Sequence, residues 1–72
     1  MQIVMQPVKS SLARMVGYDP VQKTLAVQHH DGTEYHYADV SPQKYASFQS
    51  AKSKGQFLHQ HVRGKHNHVQ VR

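Results

Sequence analysis

The stretch from Thr24 to Tyr37, TLAVQHHDGTEYHY, constrains this chain more than any other. Its residues alternate with the period of two that a strand buried on one side requires. Leu25, Val27 and His29 fall on one face of a first strand, with Ala26 and Gln28 on the other. Thr33, Tyr35 and Tyr37 share one face of a second strand, with Glu34 and His36 opposite. A two-residue turn at Asp31-Gly32 would pair Val27 with His36 and put the tyrosines on the wrong side. A three-residue loop of His30, Asp31 and Gly32 pairs Val27 with Tyr35 and Leu25 with Tyr37 instead. The sequence therefore predicts that loop: a type I turn followed by Gly32 in the left-handed region, where the missing Cβ removes the steric cost.

Seventy-two residues make one small domain, 1–72. Such a chain buries only about 60% of its unfolded surface, which leaves little structure to wall in a catalytic cleft or a cofactor. No cofactor is expected. The absence of cysteine excludes disulfides, thiolate metal sites and a cysteine nucleophile. No apolar run approaches the length of a membrane span, and Met1 to Val8 lacks the basic start of a signal peptide. A cytoplasmic protein without membrane contact is expected, its oligomeric state left open.

Net charge is +5, and its distribution says more than the total. Residues 1–39 hold three basic side chains against four acids, Asp19, Asp31, Glu34 and Asp39. Residues 40–72 hold Lys44, Lys52, Lys54, Arg63, Lys65 and Arg72 with no acid at all, together with His59, His61, His66 and His68. That asymmetry points to a polyanionic or acidic partner for the C-terminal half; its bland alternative is a merely soluble basic surface.

In chain order, residues 1–6 are open between an added edge strand, centred on Gln2 to Met5, and a loose arm, with Pro7 as punctuation. A strand follows from about Leu12 to Tyr18, and Gly17 inside it suggests a close backbone approach or a bulge. Asp19 to Lys23 is a turn with Pro20 preset for its second position. After the hairpin, Ser41 is a natural N-cap and Pro42 a natural first helical residue. That helix runs to about Ala51 and presents Tyr45, Phe48 and Ala51 or Lys52 on one side. Ser53 caps a second helix from about Lys54 to Arg63, with Phe57, Leu58, His61 and Val62 inward and Gly64 as terminator. The tail from His66 to Arg72 alternates again, with Val69 and Val71 on one face, and is open between an edge strand and a mobile end.

Strands followed by helices give an α+β domain: a small antiparallel meander of three strands, with further edge strands available from the termini, and two short helices on one face. Tyr35, Tyr37, Tyr45, Phe48 and Phe57 are expected to supply most of the large buried area, roughly 150–250 Å² each.

The segments PVKSS (7–11), VGYD (16–19), TLAV (24–27), DGTEYHY (31–37), DVSPQKY (39–45), A-x-SKG-x-F (51–57) and HVRGKH (61–66) together resemble the KTSC domain. That short domain is found at the C-terminus of some lysyl-tRNA synthetases and alone in bacterial and phage proteins. Tyr35 and Tyr37 match its YxY centre, and Ser53, Lys54 and Gly55 match its SKG element; His29 stands where an aromatic is usual. The family is uncharacterised, with RNA binding suggested, so the resemblance implies a binding module. Stand-alone, phage-like proteins of this size often act by seizing part of a host machine, so the resemblance also implies docking on a machine such as RNA polymerase.

Several chemistries compete for the polar residues. Seven histidines suggest metal, yet structural zinc sites usually use cysteine, and His59 and His61 point about 200° apart on a helix. His66 and His68 make at most a weak exposed pair, so no metal is expected. Ser10, Ser11 and Ser53 have no nucleophile elbow or oxyanion loop around them, and the carboxylates are single; no enzyme is expected. Phosphate contact fits better. Ser50, Lys52, Ser53, Lys54 and Gly55 gather hydroxyls and lysines at a helix N-terminus, where free N–H groups and the dipole attract anions; the alternative is a capped helix with solvated lysines. Tyr35 and Tyr37 have the spacing of base-stacking rings, but also that of a strand burying both under helices, and the core reading is preferred.

The resulting expectation is a non-catalytic domain whose basic half contacts RNA or another nucleic acid. Lys44, Lys52, Ser53, Lys54, Gly55, Arg63, Lys65 and Arg72 are its candidate binding residues, with Gln56 or Gln60 adding polar contacts. The alternative is a small phage-type regulator that docks on a host protein such as RNA polymerase, through an edge strand at Gln2 to Met5 or Val69 to Val71.

Overall fold

A computed structural model describes residues 3–8, 10 and 13–72. Five strands form one antiparallel sheet in sequence order: β1 (Gln6–Pro7), β2 (Ala13–Asp19), β3 (Thr24–His29), β4 (Glu34–Tyr37) and β5 (His68–Gln70). Between β4 and β5 lie α1 (Pro42–Ser50) and α2 (Lys54–Phe57), the latter continuing into a wider helical turn over Leu58–Val62. The expected α+β meander with helices on one face is therefore the observed fold.

The hairpin has the expected register. Leu25 pairs with Tyr37 and Val27 with Tyr35. His29 N–H donates to Thr33 O at 2.8 Å, Gly32 N–H donates to His29 O at 3.0 Å, and Gly32 has φ +92°. Asp31 Oδ1 accepts from Thr33 N–H and Oγ, and these bonds hold its carboxyl below the usual aspartate range.

Parity along the strands decides what each sheet face carries. Val16, Tyr18, Leu25, Val27, Tyr35 and Tyr37 share the face under the helices, and β5 adds His68 and Gln70 opposite Tyr37 and Tyr35. Phe48, Leu58 and Val62 close over it. The fully buried set is more aliphatic than expected: Leu25, Val27, Val40, Leu58 and Val62 join Phe48, while Tyr35, Tyr45 and Phe57 are only partly buried. Val40 contributes because Asp39, at φ +59°, turns the chain inward between β4 and α1. Tyr18 donates to the Val40 carbonyl and stacks on Tyr45 at 4.5 Å between centroids.

The other face carries Gly17, Ala26, Glu34 and His36. Here the expectation of an edge strand at Gln2 to Met5 is corrected: the paired residues are Gln6 and Pro7, opposite Val16 and Met15, and Gln2 lies outside the described residues. Ile3, Val4 and Met5 instead cross over Gly17. A Cβ there would sit 2.6 Å from both Ile3 Cγ2 and the Val4 carbonyl oxygen. Close approach, of the two options, is thus the role of Gly17, and the β2 bulge lies between Ala13 and Met15. Leu12, expected to begin that strand, lies outside the described residues.

Both helix starts follow the sequence. Ser41 Oγ accepts from Lys44 N–H with Pro42 in the first turn, and Ser53 Oγ accepts from Gln56 N–H. The second helix differs in its last turn. Arg63 N–H bonds Leu58 O at 2.7 Å, a spacing of five residues, and the chain is already extended at Arg63 before Gly64 reverses it at φ +82°. Widening the turn puts Leu58 and Val62 into the core and leaves His61 exposed against Phe57, at 4.7 Å between rings, correcting its expected inward position.

Candidate functional site

Where the C-terminal helical turn overhangs β4 and β5, the helix face of the sheet is left partly uncovered. A cleft of about 420 Å³ opens there. Its floor is a row of rings, one from each of three strands: His29 on β3, Tyr35 on β4 and His68 on β5. Tyr35 meets His29 at 5.4 Å and His68 at 5.7 Å, both edge-on, and Tyr37 lies 5.3 Å from His68. The opposite wall is His59, Arg63 and Gly64. His59 and Arg63 are four residues apart across the widened turn, so one helical edge brings both to the cleft.

Among the described residues no carboxylate lines this cleft. Glu34 follows strand parity to the other sheet face, where it binds His36 at 2.8 Å. Asp31 is held in the hairpin loop by Thr33, and Asp19 accepts from Val21 and Gln22 N–H in the β2–β3 turn. Tyr37 is 3% exposed, and burial raises its hydroxyl above the ordinary tyrosine range although the nearby Arg63 charge pulls the other way. The phenol is therefore protonated at neutral pH. Tyr37 has the core role expected of it, whereas Tyr35 stays half-exposed at the cleft. Among the described residues no three His, Asp or Glu side chains converge as a metal would require.

A second, shallower cleft shares Gly64 and His68 with the first and adds Lys65, His66 and Asn67. Arg63 and Lys65 are thus brought together around the Gly64 turn. The other candidate residues are dispersed. Ser53 is a helix cap, and the Lys54 ammonium donates to Ala51 O at 3.3 Å across the same turn, so these groups with Gly55 build the start of α2. Lys52 is exposed beside them. Lys44 donates to His61 O at 3.0 Å and to His66 Nε2 at 2.9 Å, while His66 Nδ1 bonds Ala38 O at 2.8 Å. Two of the three ammonium donors of Lys44 therefore pin the loop before β5 to α1. Arg72 lies on the far face of the sheet, lining a cleft with Ile3, Met5, Met15 and Glu34. The sequence places His29 on the hairpin face with Val27 and puts His59 and His68 in the acid-free half, but it does not bring the three together at one site. The strand parity that places His29 beside Tyr35 was legible, but the pairing that brings in His68 was not.

The tail does return as an edge strand, with Val69 opposite His36 and Val71 N–H donating to Glu34 O at 2.8 Å. Val69 and Val71 are 64% and 44% exposed, on the face away from the helices. Among the described residues no helix is long and apolar enough to cross a membrane.

The chain is similar to a bacterial protein, to a solved structure and to a family of domains. A protein of Tsukamurella paurometabola is 39% identical over 54 residues, covering 75% of this chain and 81% of that protein. Among solved structures, the crystal structure of a KTSC domain protein from Yersinia pestis matches with a TM-score of 0.91 at 33% identity, over 99% of this chain and 100% of that one. The KTSC domain family matches residues 9–66, most of the sequence. With the YxY pair of β4 and the SKG start of α2 in the positions described above, the chain belongs to the KTSC domain family.

Proposed function

We propose that this domain is a non-catalytic nucleic-acid-binding module that works in the cytoplasm and uses the surface around the Gly64 turn. One observation carries the reading: two adjoining clefts are lined by Arg63, Lys65 and four histidines, and among the described residues by no carboxylate. A surface of that sign attracts a polyanion, and aromatic rings in the same recess suit nucleic acid better than an acidic protein face. Lys52 and Lys54, at the other end of the second helix, extend the basic surface by about 14 Å at 1.5 Å per residue.

The test is fluorescence anisotropy with a mixed panel of short RNA and DNA strands and duplexes across a salt series. Binding is expected to weaken linearly in the logarithm of salt concentration, and a Lys52/Lys54/Arg63 triple alanine variant is expected to bind far less, with a shallower slope. No detectable binding to any member at low salt refutes the reading.

The second reading is a regulator that docks on a host protein machine such as RNA polymerase. What favours it is β5, which among the described residues pairs only with β4 and presents an open outer edge beside the exposed Val69 and Val71. A pull-down after nuclease digestion separates the two, since a protein partner survives digestion and a nucleic-acid bridge does not.

A further inference from the structure

We infer that the ring-floored cleft seats one unpaired nucleotide of a single strand, its base laid against Tyr35 and its phosphate on Arg63. This rests on the nucleic-acid reading above and narrows it from charge to shape. Tyr18 and Tyr45 already stack on each other at 12°, and Tyr45 stacks in turn toward Phe48. Tyr35 differs. Its two ring neighbours stand at 78° and 70° to it, so neither lies parallel on its face, and the ring is half-exposed in the recess. A flat group entering the cleft would supply the missing parallel partner.

The opposite wall supplies the charge. Arg63 is exposed, and among the described residues no carboxylate pairs with it. Its planar fork suits a phosphate, with His59 one turn earlier on the same edge. A volume of about 420 Å³ lies in the range that takes a small organic ligand, so the space suits one nucleotide.

Shape argues against a duplex. Proteins that read a duplex insert a protruding helix or ribbon into a groove, whereas this site is concave. A paired base also keeps both faces inside its stack, and extracting it costs a few kcal/mol. An unpaired strand offers base faces without that cost.

The test compares a fluorescein-labelled, unstructured RNA of roughly twelve nucleotides with the same strand annealed to its complement, at low salt, for the parent chain and for Tyr35→Ala, Tyr35→Phe and Arg63→Gln. The single strand is expected to bind at least about tenfold more tightly than the duplex. Tyr35→Ala should lose roughly 10- to 100-fold on the single strand, and Tyr35→Phe, which keeps the ring, should stay within about threefold. Arg63→Gln should weaken single-strand binding and lower the salt slope by about one. Equal affinity for strand and duplex, with Tyr35→Ala indifferent, overturns the nucleotide seat while leaving the basic-surface reading standing. Absence of binding to either form removes both. Should Tyr35→Ala prove unfolded by circular dichroism, the Tyr35 ring resonances of the parent decide: they must shift on adding the single strand, and unmoved resonances overturn the inference.

Discussion

Replacing Gly17 with alanine tests how the sheet's second face is closed. The new Cβ would stand 2.6 Å from Ile3 Cγ2, 2.6 Å from the Val4 carbonyl oxygen and 2.9 Å from Met5 Sδ. The two side-chain ends can swing aside. The carbonyl is backbone, so relief requires the whole 3–5 segment to lift. Lifting it uncovers Ala26, which pairs with Gly17 and is 0% exposed although it faces away from the helices. Overpacking of this kind costs about 1–3 kcal/mol. Against it stands the gain of replacing glycine in a strand, about 0.5–1 kcal/mol. Because the clash is with backbone, its cost lies in the upper half of that range, and the net loss is about 1–2 kcal/mol. At about 4–8 °C per kcal/mol for a domain of this size, the melting temperature falls by roughly 5–15 °C.

Thermal denaturation followed by circular dichroism reads the effect, and a second background isolates its cause. In a chain lacking residues 1–5 the obstructing atoms are gone, so Gly17→Ala should there be neutral or raise the melting temperature. An unchanged or higher melting temperature in the full chain refutes the argument. An equal loss in both backgrounds refutes the assigned cause, because the crossing segment would then have no part in it.

Phe48→Ala removes the largest fully buried side chain, at a cost of about 3–5 kcal/mol, comparable with the whole stability expected of a domain this small; no cooperative melt should remain above about 25 °C. Lys44→Met should cost about 1 kcal/mol, since the half-exposed ammonium holds the loop before β5, and it should reduce the amide protection of Val69 measured by hydrogen exchange. Its salt slope for nucleic acid should stay unchanged, in contrast to Arg63→Gln, because its donors are already committed within the fold. Asp31 has a lowered folded-state pKa, caused first by its hydrogen bonds with Thr33. Its contribution to the hairpin loop is therefore complete above the ordinary aspartate value and fades as pH falls through the lower folded one. The Thr33 amide resonance should report that step below about pH 4, and Asp31→Asn should abolish it.

What could be read from the sequence was local. The hairpin register follows from keeping Val27 and Tyr35 on one face, Ser41 and Ser53 carry their caps in the residues that follow, and Gly64 marks a chain reversal wherever it sits. What could not be read depends on contacts far apart in sequence. Val40 looks like linker in a DVSP segment, and only the Asp39 turn and the Tyr18 hydroxyl make it core. Ile3 to Met5 has strand propensity, yet the paired small residues Gly17 and Ala26 offer a depression it can lie across, and that packing prevails over edge pairing. The positive charge of Lys44 suggests a phosphate contact until His61 and His66 come within reach, 17 and 22 residues away. In each case a side chain's role is set by its partner, and composition does not name the partner.

The candidate site is likewise assembled late in the chain. Tyr35 and Arg63 come from separate elements, and His68 reaches them only once β5 has paired with β4. That pairing is short, so it leans on the loop before it: Ala38 N–H donates to Asn67 O at 2.8 Å, and His66 spans the Ala38 carbonyl and the Lys44 ammonium. His66 can make both bonds when Nδ1 carries the proton and Nε2 accepts, because an ammonium has no acceptor to offer. Lys44 then acts as a positioning residue for the cleft, through His66 and the strand that follows it. The basic half of the chain thus divides its charges between two tasks. Lys44 holds backbone in place through two bonds, and Arg63 and Lys65 remain at the surface around the Gly64 turn, where a polyanion can reach them.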